Sequence, residues 1–251
     1  MSDAAILHQQ ARRAWIIARK DIRVYYSKGP VVIFGILFPV FLFLAFSVGR
    51  DLSFKFLMPG LLGMVLFFTA TSISPAVAPW ETQAGTLERL MSSPLKSSTI
   101  ILGDILASFM FGVLISIIPV LAGIGLGMKI SHPLVLVLGI MLAGFCFSSL
   151  GLIFSIAPTS MPSTIMMISA LVKFPVVFIS GIFIPIEQLP EWGRIISFIS
   201  PLTYFTDIAR HCFQNQGYFS LEIDFLILAG ITVLFLVSAI KLHERTMPKR
   251  I

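Results

Sequence analysis

Six stretches of this chain are apolar, nearly free of charge and long enough to cross a lipid bilayer as helices. A hydrocarbon core of about 30 Å requires about 20 apolar residues in a helix. The runs lack the alternation of apolar and polar residues that barrel strands require. We therefore predict an all-α polytopic membrane protein with six transmembrane helices. The predicted spans are residues 30–49, 56–80, 99–128, 133–157, 163–186 and 223–240.

The composition supports the bilayer as the solvent of this chain. Of its 251 residues, 57% are hydrophobic and only 12% are charged, whereas a soluble domain carries about a quarter charged residues. The six spans leave no room for a soluble domain, so residues 1–251 are predicted to form a single transmembrane domain. The net charge of +6 comes from basic residues at both ends, which indicates membrane orientation and not nucleic-acid binding. The positive-inside rule then predicts a multi-pass protein of the cell membrane with both termini cytoplasmic.

Residues 5–27 are predicted to form an N-terminal amphipathic helix in the membrane interface. Its arginines and lysines fill one face, as in helices that lie against anionic headgroups. The helix is either an anchor alone or also a docking surface for a cytoplasmic partner. The predicted apolar face comprises Leu7, Ala11, Ala14, Trp15, Ala18, Ile22 and Tyr25.

Two segments between the spans have a pattern of their own. In the cytoplasmic loop 81–98, Thr86 begins a short helical pattern that Ser93-Pro94 ends, because the residue before proline avoids the α region. The loop either meets a partner surface or folds back on the bilayer. The extracytoplasmic segment 187–221 holds an apolar piece, residues 195–199, that is too short to span. It is either a pair of re-entrant helices or a surface helix.

Lys173 is the charge that lies deepest in a predicted span. An unpaired ammonium in lipid costs at least about 3 kcal/mol, so the side chain must reach a cavity, an interface or a polar acceptor. Pro175 frees a backbone carbonyl one turn earlier, that of Leu171, which could be this acceptor. Lys173 therefore faces a substrate path or is held by a structural hydrogen bond.

No motif in the sequence indicates chemistry of its own. There is no Gly-x-x-x-x-Gly-Lys-Ser/Thr loop, no His-Glu-x-x-His and no Gly-x-Ser-x-Gly. His211 and Cys212 are adjacent but lack the ligand spacing of a metal site. We therefore predict no catalytic residue, no metal site and no cofactor held by this chain.

Two motifs carry a resemblance to a known family. The loop sequence Gly85-Thr86-Leu87-Glu88-Arg89-Leu90, followed by Ser93-Pro94, resembles the loop after the second span of type-2 ATP-binding-cassette (ABC) exporter permeases. The stretch from Ser180-Gly181 through Leu189-Pro190-Glu191-Trp192 and Pro201-Leu202-Thr203-Tyr204 to Asp207 and Arg210 resembles that family's C-terminal signature. One departure is the triplet Glu81-Thr82-Gln83, where the family often has an acidic-basic-acidic sequence.

The resemblance implies a daunorubicin-resistance-like membrane subunit that pairs with a second permease chain and with a separate ABC ATPase, which would hold ATP and magnesium. The loop helix would be the coupling helix and the N-terminal helix a connecting helix beside it. Docking of the ATPase would then involve Glu81, Gly85, Thr86, Leu87, Glu88, Arg89, Leu90, Arg12 and Arg19. The substrate path would involve Lys173, Pro175, Ser180, Gly181 and Tyr204.

The substrate class is left open by these residues. The resemblance favours export of a drug-like or lipid-like molecule, because no large outer domain is present, and a polysaccharide or teichoic-acid exporter shares the fold. An ion-coupled secondary transporter is the alternative from another class, although acids at mid-membrane depth and inverted repeats are missing. A membrane enzyme is a third alternative.

Overall fold

The computed structural model describes residues 3–26, 28–29, 33–48, 54–93, 95, 97–157, 159 and 161–246. Every regular element in these ranges is helical. We number the α-helices α1 to α11 in chain order. They are α1 Asp3–Tyr25, α2 Phe38–Ser47, α3 Phe54–Ser72, α4 Ser74–Gln83, α5 Thr86–Met91, α6 Ser97–Gly125, α7 Pro133–Phe154, α8 Pro162–Ile179, α9 Glu191–Ser197, α10 Pro201–Gln214 and α11 Leu221–Thr246. A π-helical turn, Ile33–Leu37, precedes α2, and a 3₁₀ turn, Ile186–Gln188, precedes α9.

Five helical segments in the described ranges are long and apolar enough to cross a membrane. They are Phe56–Gln83, Ser97–Gly125, Pro133–Phe154, Pro162–Ile179 and Leu221–Thr246. The expected first span at 30–49 corresponds to the shorter apolar helix Gly35–Ala45, and residues 30–32 and 49 of that expected span lie outside the described residues. The all-helical membrane fold is therefore confirmed, and the sixth span stays a prediction.

The segment Phe56–Gln83 is the centre of the bundle. Both of its helices, α3 and α4, are buried along most of their length against α6, α7, α8 and α10. The aromatic rings of Phe67 and Phe147 meet edge-on with centroids 5.1 Å apart, and Phe205 extends the cluster at 6.2 Å from Phe147. At Gly151 a methyl group would approach Ser74 Oγ to 2.6 Å, so the absence of a side chain there lets α7 pack directly on this segment.

The helix of the central segment is interrupted at Ile73, between the end of α3 and the start of α4. Pro75 lacks an N–H group, so the carbonyl oxygen of Thr71, four residues earlier, loses its helical donor. The chain continues as α4 one residue later, with Ala76 N donating to Ile73 O at 2.8 Å. This break leaves a free acceptor in the middle of the bundle.

The expected fifth span, 163–186, is too long at its outer end. Helix α8 stops at Ile179, because Gly181 adopts a left-handed φ of 77° that turns the chain. At this point a side chain would collide with Ile186, whose Cγ1 lies 2.9 Å from the ideal Cβ position. The segment 187–221 then forms two short helices, α9 and α10, and its re-entrant character stays a prediction.

Helix α1 exists over most of the predicted range, and Ala14, Ala18 and Tyr25 of the expected apolar face are buried. The packed face is nevertheless rotated toward Ile17. Ile17 is 5% exposed, whereas Trp15, expected on the apolar face, is 48% exposed. The reason is the close crossing of α1 and α6, where Gly103 would bring a Cβ within 2.7 Å of Ile17. The exposed face mixes Trp15 and Ile16 with Arg12 and Arg19, so the interfacial amphipathic character stays a prediction.

Candidate functional site

A buried glutamate joins the short helix α5 to helix α1. Lys20 Nζ donates to Glu81 Oε1 at 2.5 Å, and the Tyr25 hydroxyl donates to the same oxygen at 2.6 Å. The Thr86 hydroxyl, at the start of α5, donates to the other carboxylate oxygen of Glu81. One carboxylate therefore links α1, the end of α4 and the first residue of α5.

The predicted start of the loop helix at Thr86 is confirmed, and local backbone geometry explains it. Helix α5 runs Thr86–Met91, and Gly85 immediately before it has a φ of 64°. Gly85 tolerates this left-handed conformation because it has no Cβ, and no atom lies within 4 Å of where a Cβ would be. The turn between α4 and α5 can therefore be tight without crowding.

The expected docking residues separate into an inward and an outward set. Glu81 is 4% exposed and Leu87 is 2% exposed, so both contact other residues of this chain. Their direct docking role stays a prediction, and their burial in the isolated chain favours a role in holding α5 in place. Leu90 is half-buried, packed against the cluster of Ile17, Ile100 and Ile101. The outward set consists of Gly85, Glu88, Arg89, Arg12 and Arg19.

Near Glu81 lie two further acids, Asp21 and Asp104, whose contact was not predicted from the sequence. The Asp21 carboxyl is 2.9 Å from Lys20 Nζ and contacts the carboxyl of Asp104 in α6. Burial raises the pKa of Asp21. Burial alone would lower the pKa of Lys20, but the charges of Asp21 and Glu81 outweigh this effect and hold it above its ordinary value. Lys20 is thus the cation shared by the carboxylates at this junction.

Lys173 reaches an acceptor on another helix. Its Nζ donates to the Thr71 carbonyl at 2.8 Å, which is the carbonyl that Pro75 frees. The expectation that Leu171 would supply the acceptor is corrected. The acceptor is the Thr71 carbonyl, and the proline that frees it is Pro75 and not Pro175. The side chain of Lys173 is 6% exposed. Its charge also lies 6.0 Å from the ring centroid of Phe68.

A mostly apolar cavity of about 330 Å³ opens beside Lys173. It lies between α2, α3 and α8, and the hydroxyls of Ser72 and Ser169 add polar groups to its wall. The cavity could hold a small apolar group with one polar or anionic substituent near the ammonium. Its apolar wall includes Phe38, Phe68, Met166, Met167 and Phe174.

The other expected path residues lie apart from this cavity. Pro175 is exposed on α8. Ser180 is buried with its hydroxyl 3.0 Å from that of Ser200, and the Gly181 carbonyl accepts a hydrogen bond from Arg210. The Tyr204 hydroxyl donates to the Phe198 carbonyl at 2.5 Å. These contacts tie the ends of α8, α9 and α10 together.

The fold defines a helical, multi-pass membrane protein whose helices leave several large apolar faces exposed. Over residues 12–213 the chain matches the family model described as ABC-2 type transporter. The chain therefore belongs to the ABC-2 type transporter family.

Curated relatives agree with this assignment. The chain is 26% identical over 179 residues to the probable multidrug ABC transporter permease YbhR of Escherichia coli (strain K12), covering 66% of this chain and 46% of that protein. It is 23% identical over 226 residues to the daunorubicin resistance ABC transporter permease protein DrrB1 of Streptomyces coeruleorubidus, covering 85% and 76% respectively. With ABC transporter G family member 20 of Dictyostelium discoideum it shares 27% identity over 196 residues, covering 76% and 27%. The chain thus spans about half the length of the Escherichia coli relative.

Proposed function

We propose that this chain is the permease subunit of an ABC exporter that moves a drug-like or lipid-like molecule outward. A separate ABC ATPase hydrolyses ATP, and a second permease chain, identical or related, completes the pathway. The chain crosses the membrane six times: a first crossing near Ile33–Leu37 and α2 precedes the five long segments. An even number of crossings puts both termini on one side, which is the cytoplasm. The observation that carries the proposal is the family match together with a short outward-facing helix, α5, fixed to the bundle through Glu81.

The proposed ATPase docking surface consists of Arg12, Arg19, Gly85, Glu88 and Arg89. These residues are exposed, and charges of both signs make them suited to a polar interface rim. Glu81 and Leu87 are positioning residues in this proposal, because they hold α5 from inside the chain. A push on α5 would pass through Glu81 to Lys20 and Tyr25 in α1.

The proposed substrate path begins at the cavity beside Lys173. An ammonium in a mostly apolar wall suits a molecule that is mainly apolar and carries an anionic or polar group. The relatives with multidrug and daunorubicin-resistance names favour a drug-like substrate. Pro175, Ser180, Gly181 and Tyr204 lie outside this cavity and are kept as residues of the outer part of the path.

Two alternatives differ from this proposal in what they would transport or use as energy. A polysaccharide or teichoic-acid exporter would need a wider path than the Lys173 cavity of about 330 Å³ offers in this conformation. A secondary transporter would be driven by an ion gradient without ATP. The family match favours the ATP-driven reading.

The test uses the tagged full chain, expressed in its source cells and purified together with any ABC ATPase that binds it. Arg89→Glu combined with Glu88→Lys reverses the charges on the exposed face of α5 and leaves Leu87 in place. We expect loss of ATPase co-purification and of ATP-dependent uptake of daunorubicin into inverted vesicles, which is the export direction in the cell. The matched control is Arg245→Glu combined with Glu244→Lys, an adjacent exposed pair of opposite charges on α11, which should retain both.

Three results would contradict the proposal. Export driven by a proton or sodium gradient without ATP would indicate a secondary transporter. Transport of a labelled glycan but of no drug or lipid probe would indicate the polysaccharide alternative. Full ATPase co-purification by the charge-reversed variant would show that α5 is only a connector.

A further inference from the structure

Three metal-ligating side chains converge at the junction of α10 and α11. Asp207 and His211 lie one helical turn apart on α10, and Asp224 lies in the first turn of α11. One ligand atom from each of the three lies within 4.8 Å of those of the other two. Metal–ligand bonds are about 2.0–2.2 Å long, so two ligand atoms of one ion lie at most about 4.4 Å apart. Side-chain adjustments of a few tenths of an ångström would bring these three groups within reach of one cation.

Two of the three side chains are held in place by the loop that follows α10. The carboxylate of Asp207 accepts hydrogen bonds of 2.8 and 2.9 Å from Tyr218 N and one of 2.8 Å from Phe219 N. His211 Nε2 is 2.8 Å from the Phe219 carbonyl oxygen. A carbonyl can only accept, so the proton is on Nε2 and the lone pair is on Nδ1. Imidazole ligands of metals are oriented by such bonds from their second nitrogen.

Asp224 gives the observation that points to a ligand. Its side chain is fully buried, and neither carboxylate oxygen accepts a hydrogen bond from an N–H or hydroxyl group of the described residues. The polar group that it contacts is the carboxyl of Asp207. Two carboxylates in contact and away from water repel each other unless a proton or a cation lies between them. A buried charge without such compensation is costly.

We propose that Asp207, His211 and Asp224 form a binding site for a divalent transition-metal cation, Zn²⁺ or Mn²⁺. One cation would neutralise both carboxylates and also accept the lone pair of His211, whereas a shared proton would involve the two carboxylates alone. An imidazole ligand favours a transition metal over Ca²⁺ or Mg²⁺, which prefer oxygen ligands alone. The expectation of no metal site rested on the spacing of His211 and Cys212 and did not consider Asp224, which the fold brings next to His211.

The surroundings of the site leave room for a cation to approach. A cavity of about 360 Å³ lies on the outer side of Asp207, with Gln216 and Gly217 in its wall. Arg210 also lines this cavity, but its guanidinium donates to the Gly181 carbonyl and lies over the Phe56 ring. The cation would clamp α10 to the start of α11 and thereby fix the loop between them. This role is separate from ATPase docking and from the Lys173 cavity.

The experiment measures metal binding by the purified full chain in lipid nanodiscs after chelator treatment. Zn²⁺ and Mn²⁺ are added as chlorides, affinity is determined by titration calorimetry, and retained metal is counted by mass spectrometry. We expect one ion per chain. The metal affinity of Asp224→Asn and of His211→Gln should be at least about tenfold lower than that of the unmodified chain. Electron spin-echo spectra of bound Mn²⁺ should show coupling to one imidazole nitrogen, and His211→Gln should remove this coupling.

The matched controls are Glu222→Gln, an exposed acid in the same turn as Asp224, and His132→Gln, an exposed histidine. Both should bind metal like the unmodified chain. Failure of the unmodified chain to retain either metal, or unchanged affinity in Asp224→Asn, would overturn the proposal and indicate a proton shared between the two acids. If Asp224→Asn does not fold, the nitrogen coupling and its loss in His211→Gln decide the question. Neither result depends on ATP or export, so the test is independent of the proposed function.

Discussion

At the scale of single residues, Lys173 shows how one amino group can repair a defect in a neighbouring helix. Pro75 removes the N–H that would bond to the Thr71 carbonyl, and Lys173 Nζ supplies a donor at 2.8 Å. The carbonyl and the ammonium are each costly to bury alone and satisfy each other. Lys173 is therefore a structural donor as well as a charge at the cavity wall.

This pairing predicts that the effects of Lys173→Met and Pro75→Ala on stability are coupled. Lys173→Met alone leaves the Thr71 carbonyl unpaired, whereas Pro75→Ala restores a backbone N–H that can bond to it. Lys173→Met should therefore cost about 1 kcal/mol less in the Pro75→Ala background than in the unmodified chain. Thermal unfolding of the four purified chains measures this difference, and additive effects would show that Lys173 does not act on this carbonyl.

At the scale of elements, the crossing of α1 over α6 depends on a missing side chain. The ideal Cβ of Gly103 lies 2.7 Å from Ile17 Cβ and 3.0 Å from the Ala14 carbonyl oxygen. These two atoms are not at the flexible end of a side chain, so they can move only if α1 itself moves. The two helices therefore form a rigid pair near the Lys20 and Glu81 junction.

We predict that Gly103→Ala separates α1 from α6. Inserting one methyl group at this crossing should cost about 1–3 kcal/mol of stability. The matched control is Gly125→Ala in the same helix, where no atom lies within 4 Å of the added carbon. It should be neutral or slightly stabilising, because alanine favours the helix over glycine by up to about 1 kcal/mol. Equal melting temperatures for the two variants would disprove the close crossing.

At the scale of the whole molecule, the orientation in the membrane can be tested with cysteines. Gln9 and Lys129 are both exposed, and they lie on opposite sides in the proposed topology. In a background lacking Cys146 and Cys212, Gln9→Cys should resist a membrane-impermeant thiol reagent in intact cells, and Lys129→Cys should react. Both should react in opened cells. Labelling of Gln9→Cys from outside would invert the topology and move α5 away from the cytoplasm.

The sequence predicted what is local and missed what depends on distant partners. Hydropathy located the five long apolar helices found among the described residues, and the turn before Thr86 follows from neighbouring residues. The burial of Ile17 on α1 was missed because it depends on the close approach of Gly103 in another helix. The contact of Lys173 was missed because its hydrogen bond joins it to the Thr71 carbonyl, 102 positions earlier. The inward position of Glu81 likewise depends on Lys20, which lies 61 positions earlier.

The contacts of α1 have a consequence for how the chain is made. Its partners are Glu81 at the end of α4 and Gly103 in α6, and the ribosome supplies both only after α1 has been synthesised. Because domains form from the N-terminus during synthesis, α1 has to wait at the membrane surface with Ile17 and Asp21 uncovered. Assembly of this region therefore follows insertion of α6. The N-terminal segment would be accessible to chaperones and proteases until α6 has been inserted.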